Sequence, residues 1–435
     1  MTFQEFVPGL SIMGLLLLLL ILRIPIAFAL AGSGIVGLMM ARPWPAVEYL
    51  LSTFAYSATA NFAYVVLPLF LFMGHMAFAA GLSQSAFEAG QKWLGRIPGG
   101  LAAATVFGCA AFSTICGSSV ATASTMSRVA MPEMLRQGYM PRLAAGCVAA
   151  GGTLGVLIPP SGVLVVYSIM TDVSLVKLFV SAFVPGVMTA LIYIVGIYIW
   201  VKLKPELAPS QVGKAPPTMK EKLEALWKTW ELLVLFAAVM GTIYLGIATP
   251  TEAAAMGAFF SLIAVMRRPN RWQNVFSGLK ETGTATCSIF ALVIGAGLFS
   301  LGLSTTQFPS KLAAVAGELN LSQTAMILLI LIPYLILGCF VDGLSMILIT
   351  MPIVYPIVQK IGFNPVLFGL LVTKMVEIGA ITPPVGLNAF VVKSMNPDVP
   401  LGEVFKGCLP FVIMELLIVA LMIAFPQISL FLLDE

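Results

Sequence analysis

Uncharged or nearly uncharged runs of about 20 residues, the length that carries a helix across a bilayer core, recur along this chain from one end to the other. Phe62–Phe78, Ser288–Leu303 and Gly407–Phe431 are three of them. Only 10% of the 435 residues are charged and 59% are hydrophobic, with a mean hydropathy of +1.01. That is too little charge to cover the surface of a water-soluble domain of this length, so lipid is the solvent for most of the chain. The expected fold class is an all-α polytopic membrane protein. The N-terminal run Ser11–Leu22 continues through Arg23 and Pro25 into a second apolar segment without a small-residue cleavage motif, and it reads as a span and not as a leader.

The second half of the sequence restates the first at an offset of 220 to 226 residues. Pro25 falls on Pro250, Arg42-Pro43 on Arg268-Pro269, Gly81-Leu82-Ser83 on Gly302-Leu303-Ser304, and Met131-Pro132 on Met351-Pro352. The motif GYMP (138–141) falls on GFNP (362–365), and IPPSG (158–162) on TPPVG (382–386). Six matches in one order at a nearly constant offset describe a duplication. The expected division is a first repeat over 1–203, a polar linker over 204–228 and a second repeat over 229–435. Within each repeat the reading gives two short spans meeting at Pro25 or Pro250, then an amphipathic stretch (46–58; 272–285) and a full span (61–80; 287–304). A second amphipathic stretch follows (83–97; 308–320), then a segment broken at a polar glycine (100–137; 323–361), a helix interrupted by Pro-Pro (141–171; 365–396), and a final span (176–203; 404–431).

The broken segments set the expected topology. CGSSVATAS (116–124) and FVDGLS (340–345) put hydroxyls, glycine and Asp342 in the middle of apolar runs. If each is the tip of a re-entrant hairpin, each half crosses about five times and the second half is inverted relative to the first. With both termini outside, 18 of the 23 Lys and Arg residues, Lys214 of the linker among them, fall on the cytoplasmic side. Arg42, Lys177, Lys311 and Lys360 remain outside, with Lys374 inside a span. The distribution favours two inverted-topology repeats.

Inverted repeats with interrupted helices are an architecture of secondary transporters. Lipid cannot hydrogen-bond a bare peptide group, so irregular backbone survives there only around a cavity or a ligand. Pro159-Pro160 and Pro383-Pro384 lack amide donors and free preceding carbonyls such as those of Gly155, Ile158, Gly379 and Thr382, which suit a hard cation like Na⁺. Half-helix N-termini facing the same cavity suit a substrate carboxylate. Ser118, Ser119, Thr122, Ser161 and Asn388 offer side-chain ligands. A Pro-Pro pair can be a simple kink and small hydroxyl residues can be packing residues, but a kink needs no twin in the other half. A charge within a span costs on the order of 3 kcal/mol, and Asp342, at the second tip, has no packing role to explain it. Lys374 and Glu377, three apart on one helix face, read as a mutual ion pair; Glu415 and the single histidine, His75, read as satisfied core residues.

In GSSVATASTMSRVAMPEMLRQGY (117–139) with GTLGVLIPPSGVLVVYS (152–168), and in VDGLSMILITMPIVYPIVQKIGFNP (341–365) with VEIGAITPPVGLNAFVV (376–392), the chain resembles the large membrane subunit of tripartite ATP-independent periplasmic (TRAP) transporters. The resemblance covers essentially the whole chain. It implies an elevator-type symporter of the inner membrane, with scaffold and transport domains, driven by two or more Na⁺ ions. It implies a small membrane subunit and a periplasmic binding protein as partners, and a carboxylate or sugar acid as substrate. By motif, Gly117, Ser118 and Ser119 with the stretch from Gly155 through Ile158 and Pro159 to Ser161 would hold one sodium. Val341, Asp342 and Gly343 with the stretch from Gly379 through Thr382 and Pro383 to Gly386 would hold a second. Ser119, Ser161 and Asp342 would face the substrate, with Asn388 beside them as a side-chain ligand. A serine often precedes the first tip glycine in this family; here Cys116 does.

Two rival classes are a divalent-anion symporter that needs no binding protein and a membrane enzyme or scaffold. The second is disfavoured because there is no P-loop, no HExxH and no Ser-, Cys- or His-based catalytic set. The six cysteines have no CxxC spacing and read as small packing residues, and the scattered basic residues give no nucleic-acid stripe.

Overall fold

The computed structural model describes residues 3–209, 217–319 and 321–433. The centre of the expected linker (210–216, with Lys214), residue 320 of the second amphipathic stretch, and both chain ends lie outside these residues. The described chain is helical, without strands. The first half runs α1 (Val7–Ile21), α2 (Ile26–Ala41), α3 (Trp44–Thr59), α4 (Val66–Ala79), α5 (Leu82–Leu94), α6 (Gly100–Cys116), α7 (Ser119–Val129), α8 (Met131–Arg136), α9 (Pro141–Leu157), α10 (Gly162–Thr171) and α11 (Leu175–Leu203). The second runs α12 (Met219–Trp227), α13 (Trp230–Phe236), α14 (Thr242–Tyr244), α15 (Pro250–Met266), α16 (Arg271–Thr305), α17 (Phe308–Glu318), α18 (Gln323–Gly338), α19 (Gly343–Lys360), α20 (Pro365–Ala380), α21 (Leu387–Met395), α22 (Leu401–Ala424) and α23 (Gln427–Leu430).

Among the described residues, seven helical segments are long and apolar enough to cross a bilayer: Gln4–Ile21, Phe62–Ala79, Pro141–Thr171, Leu175–Leu203, Arg271–Thr305, Gly343–Lys360 and Leu401–Ala424. Four more apolar helices, α2, α6, α15 and α18, have 16 or 17 residues, about 25 Å of helix each at 1.5 Å per residue.

Local chemistry explains where the helices start. Proline occupies the first turn of α9, α15 and α20, where its missing N–H is no loss. Side chains of Ser118, Ser161, Ser322, Asp342 and Asn364 cap the helices that follow them. Thr249 and Glu252 form a reciprocal capping box at the start of α15.

One expected correspondence is modified. Where the first half has α3, a break and α4, the second has the single 35-residue helix α16. In the first half the Asn61 side chain accepts from the Ala63 amide at 2.9 Å and opens the 3₁₀ turn Phe62–Val65. In α16 the hydroxyls instead bond back along the helix, Thr284 Oγ1 to the Lys280 carbonyl at 2.9 Å, and the helix continues.

Glycine sets how closely the helices approach. On α2 and α16, a Cβ at Gly34, Gly295 or Gly302 would run into the backbone of the facing helix, so this crossing depends on small residues at spacings of seven. Gly146 of α9 and Gly407 of α22 make an equally close contact. Five of the cysteines are buried, in keeping with packing residues; Cys287 is exposed, and none forms a disulfide.

Candidate functional site

The first tip is built from the end of α6. Gly117 takes φ +64°, a conformation that favours glycine, and turns the chain into Ser118, whose Oγ accepts from the Ala121 amide at 3.4 Å to open α7. The tip rests against the break between α9 and α10: the Gly162 amide donates to the Gly117 carbonyl at 3.3 Å. A Cβ at Gly117 would lie 2.8 Å from the Pro160 carbonyl oxygen. One at Gly155 would lie 2.6 Å from the Ser118 carbonyl oxygen and 2.8 Å from Thr122 Oγ1. These glycines therefore allow backbone and hydroxyl oxygens to converge, and Thr122 Oγ1 is buried with no hydrogen-bond partner.

The second tip repeats the plan with different residues. Asp342 caps α19, its Oδ2 accepting from the Ser345 amide at 3.1 Å. Beyond Pro383-Pro384, Gly386 takes φ +62° and its amide donates to the Cys339 carbonyl at 3.1 Å, the counterpart of the bond from Gly162 to Gly117. The Pro159-Pro160 and Pro383-Pro384 peptides are both cis. Gly379 faces Gly338 so closely that a side chain at Gly379 would strike the other backbone. The Thr382 hydroxyl donates to the Ile378 carbonyl at 2.6 Å. The first break is buried, whereas Pro383 and Pro384 are exposed.

Both tips open onto one cavity of about 200 Å³. Gly117, Ser118, Ser119 and Pro160 line it from one half, and Asp342, Gly343 and Glu377 from the other. The remaining wall is apolar, with Leu67, Phe70 and Ile289 among its residues. The lining holds two carboxylates, Asp342 and Glu377, and no Lys, Arg or His. An adjoining cavity of about 400 Å³ shares Cys116, Ser118 and Val120 and continues past Ser124 and Thr125 to Arg128.

Of the other candidates, Gly155, Ile158, Pro159, Gly379, Thr382 and Pro383 lie in the adjoining helix arms and breaks and are not among the lining residues. Ser161 is fully buried and uses its hydroxyl to cap α10, accepting from the Leu164 amide at 3.3 Å. Asn388, also fully buried, donates to the Ala149 carbonyl at 3.4 Å, so the second half's broken helix leans on the first half's; its Oδ1 has no partner.

The expected Lys374–Glu377 pair is not formed. Lys374 pairs with Glu415 of α22 and donates to Thr189 Oγ1 at 2.9 Å. Glu415 also accepts from the Tyr193 hydroxyl at 2.5 Å, and Thr153 lies 3.2 Å from that hydroxyl. The network joins α9, α11, α20 and α22 in the interior, with Lys374 2% and Glu415 0% exposed. Glu377 is left as a cavity residue with Ser119 beside it and its Oε2 without a partner. The sequence carried a signal for it, an acid just ahead of the second Pro-Pro break, masked by the nearby lysine. His75 is satisfied by Glu281 at 2.9 Å.

An all-helical membrane protein whose interrupted helices and helix-opening tips meet at one internal cavity is a membrane transport protein. The family model for the DctM component of tripartite ATP-independent periplasmic transporters matches residues 13–428, and the chain belongs to that family of large permease subunits. It is 35% identical to the C4-dicarboxylate TRAP transporter large permease protein DctM of Pseudomonas aeruginosa over 86% of this chain and 87% of that one. It is 29% identical to the sialic acid TRAP transporter large permease protein SiaM of Vibrio cholerae, over 86% of each. The ectoine/5-hydroxyectoine permease UehC of Ruegeria pomeroyi is 28% identical over 96% and 97%. Among solved structures, the Alcanivorax borkumensis YdaH transporter has the same overall fold, with a TM-score of 0.62 at 16% identity and coverage of 96% and 97%.

Proposed function

We propose that this chain carries an organic acid across the inner membrane by sodium-coupled symport, as the transport subunit of a binding-protein-dependent TRAP system. The observation that carries this reading is the charge of the cavity. Its acidic lining residues, Asp342 and Glu377, face no Lys, Arg or His in the lining, so an organic anion shares it most readily if cations enter too. Oxygen ligands suited to Na⁺ are available at the first tip and break, from Ser118, Gly155, Ile158 and Thr122. At the second they are available from Asp342, Gly379 and Thr382. The N-terminal ends of α7 and α19 supply partial positive charge for the substrate carboxylate. On this reading the two hairpins and broken helices move together as an elevator against a scaffold that includes α2 and α16. The halves, 1–203 and 229–435, are inverted repeats with both ends in the periplasm and the 204–228 linker in the cytoplasm. The small membrane subunit and a periplasmic binding protein complete the machine, and the dicarboxylate, sialic acid and ectoine relatives point to a carboxylate or sugar acid.

The test is uptake into proteoliposomes holding this chain and its small membrane subunit, with the binding protein outside. We expect uptake that follows an inward Na⁺ gradient, that ATP leaves unchanged, and that falls to background when K⁺ replaces Na⁺. Undiminished uptake without sodium contradicts the coupling. Undiminished uptake without the binding protein points to the self-sufficient symporter instead.

A further inference from the structure

We propose that the corner between α15 and α16 is a binding site for the phosphate of an anionic phospholipid, whose acyl chains lie along the uncovered apolar faces of the two helices. The site uses none of the residues assigned to transport above, and it stands or falls independently of that reading.

The sequence places three guanidiniums, Arg267, Arg268 and Arg271, where the apolar helix α15 ends and α16 begins. Asn270, at φ +55°, turns the chain between them. Glu231 of α13, whose side chain is 10% exposed, braces two of the three: its Oε2 lies 2.5 Å from Arg268 Nη2 and its Oε1 3.8 Å from Arg267 Nη1. Arg267 also lies over the Trp230 ring, 5.7 Å from its centroid. One carboxylate therefore fixes two guanidiniums and neutralises one of them. Arg271 has no ion pair among the described residues, so the corner keeps a surplus of positive charge, and Arg268 Nε is buried without a hydrogen-bond partner. Braced guanidiniums with charge to spare match the oxygens of a phosphodiester.

The surroundings favour a lipid over a free anion. On α15, Phe259 and Ile263 precede Arg267 at steps of four and share its face; on α16, Trp272, Phe276 and Leu279 follow Arg271 at i, i+4 and i+7. All five of these apolar side chains are exposed. They give acyl chains a surface that a free anion does not need, and tryptophan beside arginine is typical of headgroup depth. The general bias of basic residues toward one side of a membrane explains charge here but not the carboxylate brace. The matching corner of the first half, between α2 and α3, carries a single arginine, Arg42. The topology proposed above puts the α15–α16 corner on the cytoplasmic side, against the leaflet whose anionic lipids attract clustered basic residues.

The experiment follows the melting temperature of the purified chain in detergent, alone and with its small membrane subunit, as lipid is added. The probes are dioleoylphosphatidylglycerol, dioleoylphosphatidylcholine with the same acyl chains, and inorganic phosphate. The proteins are wild type, Arg267→Gln/Arg271→Gln, and Lys204→Gln, which removes an exposed charge elsewhere. A lipid that binds only the folded state raises its melting temperature saturably. We expect such a rise with phosphatidylglycerol, none with phosphatidylcholine or inorganic phosphate, and the same response in the complex. The rise should shrink by at least about half in the double variant and persist in Lys204→Gln. Equal rises with the two lipids overturn the proposal, as does an unchanged response in the double variant. A rise with inorganic phosphate equal to that with phosphatidylglycerol also overturns it, by assigning the corner to a free anion. Loss of the response once the small subunit is bound overturns it too, by showing that protein covers this face. Should the double variant fail to fold, Arg271→Gln alone, which breaks no ion pair, must weaken the response, and an unchanged response there overturns the proposal. Uptake plays no part in the readout, so a negative result here leaves the transport reading standing.

Discussion

Asp342→Asn is expected to lower the proposed sodium-driven uptake by at least about tenfold and to leave the protein folded and inserted. The residue has two tasks that this substitution separates. Its carboxylate caps α19 through the Ser345 amide, and it lines the cavity as one of two acidic groups. Asparagine is as good an N-cap as aspartate, so the start of α19 survives. What is lost is the full negative charge offered to a cation, and a loss of about 1.4 kcal/mol in that attraction is already tenfold in binding. Asp342→Ala should in addition lower the melting temperature, because losing such a cap costs about 1 kcal/mol. Wild-type uptake by Asp342→Asn at subsaturating sodium would take the residue out of the mechanism.

Lys374→Met is expected to destabilise the protein strongly. It strands Glu415 in the interior with only hydroxyl partners, and breaking a buried pair by removing one partner costs about 3–5 kcal/mol. Glu415→Gln strands the lysine in the same way, so Glu415 cannot serve as a silent control for changes at the cavity. The double variant Lys374→Met/Glu415→Gln removes both charges and keeps an acceptor for the Tyr193 hydroxyl. It should recover most of the lost stability, because the energies of partners in one network do not add. The check is the melting temperature of the purified protein across all three variants. Equal and additive losses would mean that the pair does not couple α9, α11, α20 and α22.

The difference between these two residues shows what the sequence made legible. The duplication, the two Pro-Pro breaks and the tips at Gly117 and Asp342 could be read directly, because each is a local pattern: proline without a donor, glycine at a turn, a capping side chain before a helix. The Lys374–Glu415 pair was not legible, since the partners lie on different helices and only packing brings them together. Local spacing favoured Glu377, three residues away on the same helix face, and hid that residue's place in the cavity. The continuity of α16 across the expected division between 272–285 and 287–304 has a related cause: Thr284 bonds back to its own helix and no Asn61-like cap exists there. The cavity wall is mostly apolar, and apolar contacts do not name a particular acid, so the substrate was not legible either.

The central claim, that oxygens at the tips and breaks hold sodium, is tested most directly by melting the purified chain in rising NaCl against matched KCl. A ligand that binds only the folded state stabilises it by RT ln(1 + [L]/Kd), about 2.7 kcal/mol at 100 times Kd. We expect a saturable rise in melting temperature with Na⁺, none with K⁺ at the same ionic strength, and a smaller rise in Gly117→Ala, whose new Cβ would crowd the Pro160 carbonyl at 2.8 Å. Identical melting curves in the two salts would contradict the claim.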